Sequence, residues 1–411
     1  MNKFFLYKMA NILKHDGKVI ISNKYSGKWL KVPEECYEAV KYSIENNLSV
    51  YETVDIFIDD NDKNYYKNIL KNLDTIGLLG DVANTDIEYG FIPRISFAVT
   101  NKCNLTCDYC CKDSSIEKEE KLELEELKMI VDQIVKLKPI NLTISGGEPM
   151  IRKDFKELID YIKNKYHEKL ILCTNATLIN NQNVEYIARN FYAIEISLDG
   201  YDEETCSKTR GKGIFEKVMN TIQMLKNNDC ERISLSMVVG KHNYHYKTKF
   251  EELNELLGTT PIIRYFCSLG RGLENNEKYL DDGTLFYTPS DEYEKYEYEQ
   301  IDTGHCNAGI NQVHINHEGD LYLCPNLTDE EFKICNMKDF DYLASEKLYK
   351  RDYIAFKKFD YLKENEGDCK DCSINIFCNV CPAKTYIIKN DKEAYDINCN
   401  FNRENLYYKI W

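Results

Sequence analysis

Three cysteines lie within eight residues of one another in the segment CNLTCDYC, at Cys103, Cys107 and Cys110. The apolar segment RISFAVT precedes them and is typical of a buried strand, so we expect their loop at the carboxyl end of that strand. Three thiolates so close together can hold three corners of a cubane iron-sulfur cluster and leave its fourth iron open. A zinc site completed by a distant fourth ligand is the alternative. Cys111 breaks the spacing and receives no role.

The composition limits the class of protein. A chain of 411 residues with 43% hydrophobic residues can form two or three domains with real cores. The formal charge of -15 argues against nucleic acid as a partner. No apolar run is long enough for a membrane span and no export signal is visible, so we expect a cytoplasmic protein with no membrane partner. In a reducing compartment, seventeen cysteines favour metal ligation over disulfides.

Between Ile92 and Gly270 apolar strands alternate with amphipathic helices, which predicts an α/β fold with a parallel sheet and crossover helices. Six such units would form a partial (β/α)6 barrel of the TIM type, and active sites on such barrels lie at the carboxyl ends of the strands. The predicted strands are Arg94 to Thr100, Asn141 to Ser145, Leu170 to Thr174, Ala193 to Ser197, Ile233 to Val239 and Ile262 to Cys267.

Three domains are predicted along the chain. Residues 1–88 contain a β-rich strip, KVIISN, followed by short helices. Residues 89–270 form the barrel. Residues 271–411 begin with an acidic, tyrosine-rich segment and then concentrate the remaining regularly spaced cysteines.

The CxxxCxxC motif, with Tyr109 just before its last cysteine, resembles the signature of the radical S-adenosylmethionine (radical SAM) superfamily. The second strand ends in SGGEPM and the fourth in SLDG, which match two further motifs of that family. The resemblance implies a 5'-deoxyadenosyl radical made from S-adenosylmethionine (SAM) at a 4Fe-4S cluster. It also implies a set of cofactor contacts: Gly146, Gly147, Glu148 and Pro149 at the methionine amine, Ser197 and Arg210 at its carboxylate, and Tyr109.

The last hundred residues resemble the SPASM extension of radical SAM enzymes, which carries two auxiliary 4Fe-4S clusters. The resemblance implies Cys306, Cys324 and Cys381 as ligands of the first auxiliary cluster, and Cys369, Cys372, Cys378 and Cys399 as ligands of the second. Three clusters are therefore expected in the chain. The gap between Cys378 and Cys381 is two residues where the family usually has three, and the first auxiliary cluster lacks a ligand unless Cys267 or Cys335 supplies it. A zinc ribbon built from CKDC and CNVC is the alternative.

The amino-terminal segment resembles the small winged-helix element with which peptide-modifying enzymes bind a leader peptide, and this implies that a ribosomally made precursor peptide with a leader is the substrate. A flavodoxin or ferredoxin is the expected electron donor. Thioether cross-linking of a cysteine-rich peptide is the favoured reaction; carbon-carbon or carbon-oxygen cross-linking, formylglycine formation on a sulfatase, and a non-catalytic metal-binding scaffold are the alternatives. No catalytic residue is predicted. The other cysteines, Cys36, Cys173, Cys206 and Cys230, are expected to be small buried residues.

Overall fold

The computed structural model describes residues 3–82, 92–285, 287, 301–303, 306–363, 369–378, 381–389 and 391–411. These residues divide into two compact units. The barrel unit comprises the described residues within 89–290 and 308–359, and the terminal unit comprises those within 1–88, 291–307 and 360–411. None of the described helices is long and apolar enough to cross a membrane.

The strands in chain order are β1 (Phe4–Phe5), β2 (Ala10–His15), β3 (Lys18–Asn23), β4 (Trp29–Pro33), β5 (Leu79–Gly80), β6 (Arg94–Ala98), β7 (Asn141–Ser145), β8 (Lys169–Thr174), β9 (Ala193–Ser197), β10 (Ile233–Val239), β11 (Thr260–Tyr265), β12 (Gln312–Ile315), β13 (Asp320–Tyr322) and β14 (Lys333–Asn336). The α-helices are α1 (Glu34–Glu45), α2 (Asp60–Thr75), α3 (Leu124–Lys136), α4 (Phe155–Lys165), α5 (Val184–Asn190), α6 (Glu203–Arg210), α7 (Ile214–Lys226), α8 (Lys247–Leu257), α9 (Asn276–Tyr279), α10 (Tyr342–Tyr349), α11 (Ile354–Lys363), α12 (Asn375–Cys378), α13 (Pro382–Ile388) and α14 (Lys392–Ile410).

The barrel unit is built on one sheet with the strand order β11-β10-β9-β8-β7-β6-β12-β13-β14. Strands β6 to β11 are parallel to their neighbours, as predicted, and crossover helices join them. Strands β7, β9 and β10 have the predicted bounds, whereas β11 lies two residues earlier than predicted. Strand β12 adds a seventh parallel strand beside β6, and β13 and β14 continue the sheet in antiparallel pairing. The predicted α/β class is confirmed.

The two faces of the parallel sheet differ in polarity. Along β7, for example, Leu142 and Ile144 are fully buried, whereas Thr143 and Ser145 are partly exposed. The buried residues point toward the helices, where the predicted apolar stripe of α3 is also fully buried: Leu127, Ile130, Val131 and Ile134. Parallel strands that are covered on both faces are usually apolar throughout. The polar inner face therefore marks a site rather than a second core.

The terminal unit contains the antiparallel sheet β2-β3-β4 with α1 and α2, and the short pair β1 and β5. Successive residues of β3 face opposite sides. Val19 and Ile21 pack into a core with residues of α1 and α2. Ile20 packs into a second core with residues near the other end of the chain, including Phe377 and Leu406. Both faces of this small sheet are therefore buried.

Candidate functional site

The loop after β6 carries the predicted cluster ligands of the barrel unit. Backbone N–H groups point at two of the sulfurs: Leu105 N lies 3.4 Å from Cys103 Sγ, and Ser114 N lies 3.3 Å from Cys110 Sγ. Burial raises the pKa of Cys103, and it raises that of Cys107 to about 11, while the Arg210 charge opposes both shifts. The loop therefore gathers thiols, N–H donors and a cation, which together favour thiolates once a metal is bound.

The SGGEP segment after β7 lies against this loop through its backbone. Gly147 N donates to Thr100 O at 2.9 Å, and Glu148 N donates to Lys102 O at 2.7 Å. A Cβ on Gly146, which has φ of 147°, would lie 2.3 Å from the Thr100 oxygen. Two loops meet at these glycines with no room for a side chain.

Glu148 is fully buried and serves the structure of the site. Its carboxylate accepts from Thr174 Oγ1 at 2.8 Å, Asn175 N at 2.7 Å and Met150 N at 3.2 Å. Burial raises the pKa of Glu148, and these hydrogen bonds oppose the rise. The carboxylate therefore joins the end of β7 to the end of β8, a role beyond the predicted contact with SAM.

Arg210 is the last residue of α6, and its guanidinium contacts Tyr109 of the cysteine loop. Its Nε donates to Asp199 and its Nη2 to the Tyr109 hydroxyl, which itself donates to Asp199. The second oxygen of Asp199 accepts from Val238 N at 2.6 Å. Burial raises the pKa of Tyr109 well above its usual value, so the phenol stays neutral.

This network brings together two predicted cofactor residues, Tyr109 and Arg210. Ser197 lies nearby in the chain, at the end of β9 on the inner face. Asp199 was not predicted as a site residue, although the SLDG motif contains it.

The segment 270–279 holds the cysteine loop from outside, and the sequence analysis did not predict this role. Arg271 donates to Cys107 O at 2.9 Å and to Ser114 O at 2.7 Å. The Tyr279 hydroxyl donates to Asp108. We call this segment the clamp. The predicted domain boundary at residue 270 falls at the first residue of the clamp. No spacing rule links this turn to Cys107, which lies 164 residues before Arg271, so the contact could not be predicted.

The inner face of the sheet lies below the cysteine loop. Glu195 on β9 pairs with Arg264 on β11 at 2.6 Å. Ser96 on β6 hydrogen-bonds His314 on β12 at 2.8 Å, and burial lowers the pKa of His314 to about 3, so this histidine is neutral. Cys173 was expected to be buried, and it is half-buried on this face. Cys36, Cys206 and Cys230 are buried as expected.

The other predicted ligands divide between the units. Cys324 belongs to the barrel unit, whereas Cys306 and Cys381 belong to the terminal unit. Cys267 and Cys335 also lie in the barrel unit, and all of these thiols are half-buried.

Four predicted ligands lie together in the terminal unit. Burial raises the pKa of the Cys378 thiol to about 12, and the thiols of Cys399, Cys369 and Cys372 add to this rise, so the four influence one another. Within the described residues, no three His, Cys, Asp or Glu side chains converge to hold a single metal ion. A cubane cluster binds each thiolate through a different iron, so its ligands need not meet at one point.

Comparison with known proteins identifies the class of the barrel. Residues 97–253 match the model of the Radical SAM superfamily. The barrel is therefore a radical SAM domain, and the chain is an enzyme that uses SAM and a 4Fe-4S cluster.

Among its relatives is mycofactocin maturase MftC of Mycolicibacterium smegmatis, 27% identical over 268 residues that cover 59% of this chain and 67% of that protein. Another is the subtilosin biosynthesis protein AlbA of Bacillus subtilis, 25% identical over 256 residues that cover 59% of this chain and 56% of that protein. The structure of Streptococcus suis SuiB bound to SAM has the same fold, with a TM-score of 0.53 at 15% identity over 95% of this chain and 98% of SuiB.

Proposed function

We propose that this enzyme is a maturase that modifies a ribosomally made precursor peptide. Two relatives, a mycofactocin maturase and a subtilosin biosynthesis protein, support the proposal. SuiB, whose fold is similar, has been solved with its precursor peptide SuiA; that structure has a TM-score of 0.53 at 14% identity and covers 95% of this chain and 98% of SuiB. A cytoplasmic enzyme with a flavodoxin or ferredoxin as electron donor is part of the proposal.

The observation that carries the proposal is the polar inner face below the cysteine loop. Partly exposed side chains line it on successive strands, including Ser145 on β7, Cys173 on β8 and Glu195 on β9. A face of this kind can receive a peptide side chain and hold it near the carboxyl ends of the strands, where the cysteine loop lies.

The roles of the site residues follow from this arrangement. Cys103, Cys107 and Cys110 hold one 4Fe-4S cluster, which supplies a 5'-deoxyadenosyl radical when SAM is bound. The proposed SAM contacts are those predicted from the sequence: Gly146, Gly147, Glu148, Pro149, Ser197, Arg210 and Tyr109. Within this set, Arg210 supplies positive charge for a carboxylate, and Asp199 and Tyr109 fix its orientation.

Cys369, Cys372, Cys378 and Cys399 would hold one auxiliary cluster, and Cys306, Cys324 and Cys381 would hold the other. Because only three cysteines are assigned to the latter, it would have room for a substrate thiolate, which favours a thioether product. In that reaction the peptide loses a hydrogen atom from carbon to the radical, a proton from its thiol and one electron, and a sulfur-carbon bond forms. The auxiliary clusters would accept that electron.

The leader has a candidate binding place in the terminal unit. A cavity of about 680 Å³ lies between the first turns of α1 and α2, and its lining includes Ile58, Tyr65, Asp60 and Asp62. Ile58 is 97% exposed and Tyr65 is 51% exposed. Exposed apolar side chains beside acidic ones suit an amphipathic segment with basic residues.

The first experiment measures chemistry and metal together. Anaerobically reconstituted enzyme with SAM and dithionite should release 5'-deoxyadenosine and should contain three 4Fe-4S clusters. Replacing Cys103, Cys107 and Cys110 with Ala should remove one cluster and all of the 5'-deoxyadenosine. With a cysteine-containing precursor, mass spectrometry should find a product lighter by a pair of hydrogen atoms, and a precursor with serine in place of the cysteine should give none. Stoichiometric zinc with little iron contradicts the whole proposal.

The second experiment tests the leader cavity. Ile58→Asp should lower the rate with full precursor at least tenfold and leave the rate with a leaderless core peptide unchanged, because only the tether is lost. Tyr42→Ala is the control, since Tyr42 is 48% exposed on α1 and does not line the cavity. Equal rates for Ile58→Asp and the unaltered enzyme would place the leader elsewhere.

A further inference from the structure

Helix α14 presents a row of polar side chains to the cysteines of the terminal unit. Tyr395, Cys399 and Asn402 are spaced by four and three residues, so they share one face of the helix, and Arg403 is adjacent. Cys399 is itself one of the four predicted ligands. The other three, Cys369, Cys372 and Cys378, come from the short segment that ends with α12.

One of these residues contacts a sulfur directly, because the Tyr395 hydroxyl lies 2.7 Å from Cys369 Sγ. Asn402, only 4% exposed, opposes the rise that burial causes in the pKa of Cys378, and the exposed Arg403 opposes the rise in the pKa of Cys399. A metal-bound thiolate has no proton to give, so the Tyr395 hydroxyl must be the donor in the loaded protein.

We propose that Tyr395, Asn402 and Arg403 form a donor row that raises the reduction potential of the cluster held by Cys369, Cys372, Cys378 and Cys399. The inference rests on the proposed function, which assigns a cluster to these four thiols. Reduction adds a negative charge to a cluster, and hydrogen-bond donors and a nearby cation stabilise that added charge. The three residues are positioning residues, because they act on the cluster only through its sulfur ligands.

The test is a potentiometric titration of the full, reconstituted protein followed by electron paramagnetic resonance. Tyr395→Phe should keep the iron and sulfide content and make the midpoint potential of one cluster more negative. Tyr408→Phe is the matched control, because Tyr408 is on the same helix and 87% exposed, and it should change nothing. Full iron content with an unchanged potential in Tyr395→Phe overturns the proposal.

A second variant covers the case in which Tyr395→Phe loses its cluster. Arg403 is exposed, so Arg403→Gln is expected to fold, and it should lower the same potential, with Arg403→Lys falling less. An unchanged potential in Arg403→Gln also overturns the proposal. The assignment of the cluster is checked separately: if Cys399→Ser removes no cluster signal, the proposed function is wrong at these residues, whatever the donors do.

Discussion

Asp199 and Arg210 form an ion pair whose side chains are 1% and 7% exposed, directly beside the cysteine loop. The charge of Arg210 is thus balanced within the protein before any cofactor binds. The pair and Tyr109 make one rigid group at the carboxyl ends of β9 and β10, and a cofactor carboxylate would meet a guanidinium whose orientation is already fixed.

Replacing Arg210 with Lys should weaken SAM binding at least tenfold, because an ammonium keeps the charge but cannot donate to Asp199 and Tyr109 in a fixed fork. Iron content should not change. Ser197→Ala should act in the same direction and more weakly. Equilibrium binding of SAM to the reconstituted enzyme is the measurement, and unchanged affinity in both variants would remove these two residues from the cofactor site.

Replacing Asp199 with Asn should lower the free energy of unfolding by about 3 kcal/mol, because it leaves a buried guanidinium without its counter-charge. Glu195→Gln is the control, since its partner Arg264 is 46% exposed and water can replace the lost contact. Chemical denaturation of both variants gives the comparison. Equal stability of the two would mean that Arg210 finds another counter-charge.

Gly146→Ala should destabilise the barrel unit by about 3 kcal/mol, since its Cβ would overlap the Thr100 backbone. Gly213→Ala is a matched control: Gly213 also has a positive φ, 75°, but no atom lies within 4 Å of an added Cβ. The control should lose only about 1 kcal/mol. Thermal unfolding measures the loss of stability in each variant. Similar losses in Gly146→Ala and Gly213→Ala would show that the two loops can move apart.

Arg271→Gln should loosen the cysteine loop, because two carbonyl oxygens lose a charged donor. Each such hydrogen bond contributes about 1.5 kcal/mol. A chelator should therefore extract iron at least tenfold faster from the cluster of the cysteine loop. Arg232→Gln is the control, since Arg232 lies over the Tyr192 ring instead. If both variants release iron at the original rate, the clamp is not what holds the loop.

Ile20 and Ile21 provide a matched pair in the terminal unit. Both are fully buried on β3, but they face different cores. Each Ile→Ala change should cost about 3 kcal/mol. Only Ile20→Ala should also reduce the iron held by the terminal-unit cysteines, because Cys372 and Cys378 pack against its core. Equal iron content in the two variants would contradict this coupling.

This packing also makes deletion of residues 1–88 a poor test of leader binding. Such a deletion removes Leu13 and Ile20 from the core around Cys372 and Cys378. A loss of activity would then report a damaged cluster segment as readily as a lost tether. Point changes in the cavity around Ile58 avoid this problem.

The features that depend on local sequence patterns, such as the positions of strands, could be predicted. Strands β7, β9 and β10 could be located to the residue because their apolar positions alternate with polar ones and turns follow. The cysteine loop was assigned from its spacing, its position after a predicted strand and the two further motifs SGGEPM and SLDG. Two features could not be predicted, namely the balancing of Arg210 by Asp199 and the contact of Arg271 with the cysteine loop. Both depend on side chains that meet only after the sheet has formed. No repeating pattern in a single sequence indicates which distant side chains will come into contact.

The burial of both faces of β3 has a consequence for the synthesis of the chain. The small sheet leaves the ribosome long before part of its second core does, because His15 hydrogen-bonds Tyr407, 392 residues later. At the usual rate of about 5–20 residues per second, one face of the sheet would stay uncovered for roughly 20 to 80 seconds. During that time Leu13 and Ile20 are exposed apolar residues on a sheet with open edges. The cysteines of the terminal unit therefore gain their packed core only after both of its distant segments have been synthesised.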